Sequence, residues 1–125
     1  MLLSVIFPIY NTEKYLQKAL TSIQKQMFTN FECVMVDDGS TDNSVTIAQN
    51  FVNNDQRFKL FLNKHNGNAS ALNTALSHIK GDYVTFCDSD DYLEHDAYQT
   101  LLPLIGQTPD LIISNLFLKN IINHP

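Results

Sequence analysis

Phe31-Glu32-Cys33-Val34-Met35-Val36-Asp37-Asp38-Gly39-Ser40-Thr41-Asp42 is the stretch that decides how the chain folds. Residues 31–36 form a short apolar run rich in branched side chains, the signature of a buried strand. Two acids, a glycine and a serine then end it. Thr41 or Asp42 can cap a following helix that carries Val45, Ala48 and Val52 inward. Strand, polar turn and helix together make one step of an alternating α/β chain.

The same step recurs on both sides. Residues 3–7 read as a first strand that stops at Pro8, and Asn11 or Thr12 can cap the helix after it. In that helix Leu16, Leu20, Ile23 and Met27 fall on one face. Residues 58–62 predict a third strand and 63–68 a polar loop. Residues 69–79 predict a helix with Leu72, Ala75, Leu76 and Ile79 on one side, ended by Gly81 in a left-handed cap. Residues 83–87 give a fourth strand, 94–102 a helix broken near Pro103, and 111–118 a fifth strand. Such alternation predicts a mainly parallel sheet covered on both faces.

Composition sets the outer limits. A length of 125 residues suits one domain spanning 1–125, and 44% hydrophobic with 17% charged residues excludes a disordered or fibrous chain. The apolar start lacks the basic region of a signal peptide, and no apolar run is long enough to span a bilayer. Cys33 and Cys87 lie inside apolar runs without metal-ligand spacing, as buried free thiols of a reducing compartment do, so a cytoplasmic location is expected. The net charge of -5 argues against nucleic acid as a partner.

That charge is not spread evenly. Asp37, Asp38, Asp42, Asp88, Asp90 and Asp91 are six of the 13 acids, leaving the rest of the chain close to neutral. In an open α/β sheet, ligands bind beyond the carboxyl ends of the strands. Three predicted strand ends carry unusual polar residues: Pro8-Ile9-Tyr10-Asn11, Asp37-Asp38-Gly39-Ser40 and Asp88-Ser89-Asp90-Asp91. Clustered carboxylates repel one another, and a hard divalent ion relieves the repulsion. Asp42 reads as an ordinary cap, whereas three acids within residues 88–91 exceed what a turn requires. Tyr10 is either a core aromatic or a face on which a flat base stacks. His65, His78 and His124 read as solvated or partly buried side chains.

The segments from Val5 to Asn11, Val36 to Asp42, His65 to Asn73 and Phe86 to Asp91 come in this order, and together they resemble the inverting family 2 glycosyltransferases. The resemblance implies a Rossmann-like GT-A α/β/α sandwich, truncated here after the half that contains the DxD motif. It implies a nucleotide-sugar donor, most often a UDP-sugar, whose sugar passes with inversion to a saccharide or lipid-linked acceptor in cell-surface polysaccharide synthesis. Tyr10 would stack on the base with Pro8 and Asn11 beside it, Asp38 would bond the base or ribose, and Gly67 would line the nucleotide. Asp88-Ser89-Asp90 matches the DxD motif: Asp90 would ligate Mn²⁺ or Mg²⁺, Asp88 would bind ribose or support the ion, and Ser89 would contact the nucleotide. The general base and acceptor site are expected beyond Pro125, with membrane association through that later part placing the protein at the inner face of the membrane. Glu94, Asp96 and Asp110 read instead as helix-start or loop acids.

Two positions depart from the family pattern. Leu72 stands where many relatives carry an arginine, and His95 where a proline is common. Arg57, the one arginine, precedes a strand away from the motifs, which leaves neutralisation of the diphosphate to the metal or Lys64. Three other readings compete. A haloacid-dehalogenase-like Mg²⁺ phosphatase would use Asp88 as nucleophile, but Tyr92 stands where it needs Thr or Val. A phosphoacceptor receiver domain would need a lysine better placed than Lys119. A degenerate module would bind nothing.

Overall fold

The computed structural model describes residues 2–105. The predicted fifth strand, together with Asp110, Lys119 and His124, lies outside these residues. Four strands, β1 (Leu3–Ile9), β2 (Phe31–Asp37), β3 (Phe58–Leu62) and β4 (Tyr83–Phe86), alternate with four helices. The helices are α1 (Glu13–Gln24), α2 (Ser44–Asn54), α3 (Asn68–Leu76) and α4 (Ala97–Ile105). The strands form one parallel sheet in the order β3-β2-β1-β4. The expected α/β class and parallel sheet are what the chain adopts.

Alternation along each strand sorts side chains to two faces. Leu3, Val5, Phe7 and Ile9 of β1, with Phe31, Cys33 and Met35 of β2, share a core with Leu16, Ala19, Leu20 and Ile23 of α1. Ala48 and Phe51 of α2 and Ala97, Tyr98 and Leu102 of α4 complete it. On the opposite face Ile6, Val34 and Val36 pack against Ala71 and Ala75 of α3. Every residue of β2 is buried, because that strand has a neighbour on each side and helices on both faces.

Several local expectations change. Met27 is 57% exposed, because α1 ends at Gln24 before the fourth position of the stripe. In α2 the inward aromatic is Phe51; Val45 and Val52 are only half-buried, and the helix starts after Asn43. Helix α4 begins at Ala97, three residues later than expected, and runs through Pro103.

Gly81 is not a helix cap. Helix α3 ends at Leu76, and Ser77 closes it in a right-handed conformation. What Gly81 supplies is room: a Cβ there would lie 2.7 Å from Ser4 N and 2.8 Å from the Leu2 carbonyl oxygen. Its N–H donates to Ser4 Oγ at 2.7 Å, docking the start of β4 on β1. Ser4 Oγ in turn donates to the buried Glu32 carboxylate at 2.6 Å, and Lys59 Nζ donates to the same group at 2.9 Å. Gly81→Ala is therefore expected to destabilise the fold by about 1–3 kcal/mol through overpacking. Urea unfolding with an unchanged midpoint would refute that account.

Candidate functional site

The strand order sets the site. The chain steps outward from β1 to β2 to β3, then returns across the sheet to place β4 on the other side of β1. The crevice between the carboxyl ends of β1 and β4 is therefore the topological switch point, where ligands bind in this class of sheet. Pro8 to Asn11 leave β1 at the centre, with residues 37–42 on the β2 side and residues 87–91 on the β4 side. The three polar strand ends of the sequence do come together on one edge of the sheet.

The floor beneath β1 and β2 is a pair of helix starts that cap each other. Asn11 adopts a left-handed backbone with φ of 49°, which asparagine tolerates better than most residues. Its Oδ1 accepts the Thr41 N–H at 2.8 Å. Its own N–H donates to Ser40 Oγ at 2.9 Å, and that hydroxyl donates to the buried Asp37 carboxylate. Asp42 accepts the Ser44 N–H through Oδ1 at 2.9 Å and the Glu13 N–H through Oδ2 at 3.1 Å. Glu13 Oε2 returns a bond to the Asn43 N–H at 2.9 Å, while Ser44 Oγ accepts the Thr12 N–H at 3.1 Å. The N-cap of α2 is Asn43 rather than Thr41 or Asp42, and Asp42, one residue before it, accepts from the starts of both helices. Asn11, assigned by resemblance to the nucleotide, spends its side-chain oxygen on the β2 turn.

Asp38 is buried, and its carboxylate fastens the third loop to the second. Oδ1 accepts the Asn66 N–H at 3.1 Å, and Oδ2 accepts the Gly67 N–H at 3.0 Å. His65 Nδ1 lies 3.1 Å from Oδ2. Burial works to raise this carboxyl's pKa, but the Asn66 and Gly67 amides and the His65 imidazole outweigh it and hold it below the usual value. Gly39 makes the approach possible: its φ is 82°, and a Cβ would sit 3.1 Å from both His65 Cβ and His65 N.

His65 also stacks on Tyr10, with ring centroids 4.5 Å apart and planes 18° from parallel. Tyr10 is 43% exposed, so of its two readings the core one fails. The sequence reading left His65 without a role. Its links to Tyr10 and Asp38 span 55 and 27 positions, and no local motif announces them. Arg57 binds Asp55 and the Thr29 and Gln24 carbonyls and lies over the Phe31 ring, at the far end of the sheet. Its place away from the motifs is as expected.

On the β4 side, Asp88, Asp90 and Asp91 bring one carboxylate oxygen each to within 4.8 Å of one another. Ser89 between them is buried, and the Asp91 N–H donates to the Asp88 carbonyl at 3.1 Å, closing a tight turn. Three hard oxygen donors at this spacing are the donor set that Mg²⁺ or Mn²⁺ takes. Cys87 next to them contributes nothing as a ligand. Burial first, then the Asp88, Asp91 and Asp90 charges, push its thiol pKa far up. Glu94 and Asp96 precede α4, and their carbonyls accept the Ala97 and Thr100 N–H groups, the positions of helix-start acids.

Residues 4–123 match the family model described as glycosyl transferase family 2. A glycosyltransferase of Haemophilus influenzae, named as uncharacterized, is 43% identical over 107 residues, 85% of this chain and 43% of that protein. A GalNAc(5)-diNAcBac-PP-undecaprenol beta-1,3-glucosyltransferase of Campylobacter jejuni is 41% identical over 105 residues, 80% of this chain and 33% of that protein. Residues 1–349 of S. aureus TarS, solved with UDP-GlcNAc, superpose with a TM-score of 0.78 at 36% identity, over 86% of this chain and 32% of that one. A mannosyltransferase of Pyrobaculum calidifontis, solved with GDP-Man and Mn²⁺, gives a TM-score of 0.77 at 28% identity, over 82% of this chain and 32% of that one. The chain spans less than half the length of these curated relatives.

Proposed function

The chain belongs to glycosyl transferase family 2, and from that premise we propose that it forms the donor-binding part of an inverting sugar transferase that uses a UDP-sugar. The observation that carries this reading is the placement of two unlike half-sites on either side of β1. An aromatic and carboxylate pair, Tyr10 and Asp38, stands on the β2 side, and a three-carboxylate cluster stands on the β4 side. Two strand steps separate these ends, about 10 Å at the usual spacing. That is the distance over which a nucleoside must be held at one end and its diphosphate at the other.

Each residue then has a chemical task. Tyr10 offers a flat apolar face to the base, backed by the His65 ring on its other side. A carboxylate has roughly four acceptor sites, and Asp38 uses three on the loop. One site on Oδ1 remains for an imide N–H of uracil, a charge-assisted and therefore selective bond. Pro8 and Gly67 shape the walls. Asp90 and Asp88 would hold a divalent ion, with the buried Ser89 between them. A divalent ion held there would supply positive charge to neutralise the diphosphate. The acceptor hydroxyl, on a saccharide or a lipid-linked chain, attacks from the opposite side with the help of a base outside this chain.

The Campylobacter relative's undecaprenol-linked name supports a lipid-linked acceptor and hence a reaction at the inner face of the cell membrane. No helix among the described residues is long and apolar enough to cross a bilayer. UDP with Mn²⁺ is expected to raise the stability of the chain by about 2.7 kcal/mol at a hundredfold excess over Kd. EDTA should remove most of that gain. Equal protection with and without EDTA would overturn the metal assignment, and no protection at millimolar UDP would make this a degenerate module. A phosphoenzyme trapped on Asp88 would overturn the assignment of that carboxylate to the metal.

A further inference from the structure

We propose that Gln26 is a positioning residue for the carboxylate turn. It rests on the donor-binding reading above, and it adds a residue outside the four segments that carry the family resemblance. Gln26 lies two residues beyond α1, where a long polar side chain would ordinarily be in water, yet it is only 3% exposed. Both ends of its carboxamide are engaged. Nε2 donates to the Glu94 carbonyl at 2.6 Å and to the Ser22 carbonyl at 3.1 Å, and Oε1 accepts the Tyr98 N–H at 3.1 Å.

Gln26 is the centre of a strap that holds one segment. Ser22 Oγ accepts the Leu93 N–H at 2.9 Å, the Met27 N–H donates to the His95 carbonyl at 2.8 Å, and Lys18 Nζ stands 4.0 Å from the Tyr92 ring centre. Residues 92–98 are therefore tied to α1 and its exit. On the other flank, the Cys87 N–H donates to the Ile6 carbonyl at 3.0 Å, extending the β4 ladder to the last residue before the acids. The carboxylate turn is thus fixed at both ends.

The need for such a strap is electrostatic. Three carboxylates with oxygens within 4.8 Å repel one another, and a turn free at one end would open to separate them. Closing it again on each binding event would draw on conformational entropy of roughly 1–2 kcal/mol for every residue reordered. Residues fixed behind the ligands avoid that cost, as partners behind metal ligands do elsewhere. Only a carboxamide can donate to the Glu94 carbonyl and accept from the Tyr98 amide in the same plane. Glutamate would lose the donor, and leucine would leave both backbone groups unpaired.

The test measures Mn²⁺ affinity in the presence of saturating UDP, from the free-ion EPR signal, on the full 125-residue chain. Gln26→Glu and Ser22→Ala are compared with wild type at a temperature where circular dichroism shows each folded. UDP affinity is measured separately at saturating Mn²⁺. The expected result is a loss of about tenfold in Mn²⁺ affinity, with UDP affinity kept within about twofold. A general structural role would lower both affinities together, and that outcome overturns the proposal. So does a folded variant with unchanged Mn²⁺ affinity. Wild type that binds UDP without any Mn²⁺ dependence would instead remove the metal reading on which the proposal stands. Should Gln26→Glu fail to fold, Ser22→Ala, which removes the Leu93 tie and the hydroxyl's bond to the Ala19 carbonyl within α1, carries the same expectation.

Discussion

Asp90→Ala is expected to weaken Mn²⁺-dependent UDP binding by on the order of 100-fold or more, while raising the melting temperature of the chain in EDTA. The two effects come from one cause. Removing a ligand takes away a negative oxygen that the cation needs, a larger loss than the 10–100-fold typical of residues behind the ligands. Removing it also relieves the repulsion among Asp88, Asp90 and Asp91, whose oxygens lie within 4.8 Å of one another. Functional clusters are commonly held against their own stability in this way. Calorimetry with UDP and Mn²⁺ reads the first effect, and a thermal melt in EDTA reads the second. Asp88→Ala should act in the same direction. A variant that binds normally would move the metal site off this turn.

Asp38→Ala should lose both nucleotide binding and stability. Its carboxylate accepts from the Asn66 and Gly67 amides and from His65, so its removal leaves two backbone donors without their partner. The expected destabilisation is on the order of 2–3 kcal/mol, and UDP affinity should fall more than tenfold. His65→Ala is the informative companion, because it keeps both amide bonds while removing the ring behind Tyr10 and that ring's contact with Asp38. It should cost little stability and still weaken UDP binding. The carboxylate also contributes to pH dependence. Its pKa in the folded chain is held below the unfolded value, so its contribution is fully present at neutral pH and is lost as the pH falls through the folded-state value. Acid unfolding of Asp38→Ala should begin from a lower plateau and show a shallower slope; an unchanged slope would refute this account.

Local pattern carried most of the fold. Strand β3 has the bounds that its composition implied, while β1 runs past its expected stop through Pro8 and Ile9, and β2 runs one residue further to Asp37. Periodicity sorts side chains between faces, and that information lies within a few residues of each position. It does not reveal which residues meet across the chain. Gly81 looked like a cap because glycine often ends helices, but its requirement is set by Ser4, 77 positions away. Gln26 carried no signal, since its partners are Glu94 and Tyr98. The same limit hid His65. The acids of the site were legible because carboxylates gathered at strand ends are costly without a purpose. Their anchoring bonds were not.

The reciprocal capping of α1 and α2 has a consequence for how the crevice moves. The amides of Asn11, Thr12, Glu13, Thr41, Asn43 and Ser44 each donate to a side chain that belongs to the floor itself. Five of these six bonds join one turn to the other. Neither turn can open alone, so their amide protons should exchange with solvent as one slow group, unlike those of ordinary surface loops. The two helix starts thus form one unit, a fixed reference against which the other strand-end loops are set.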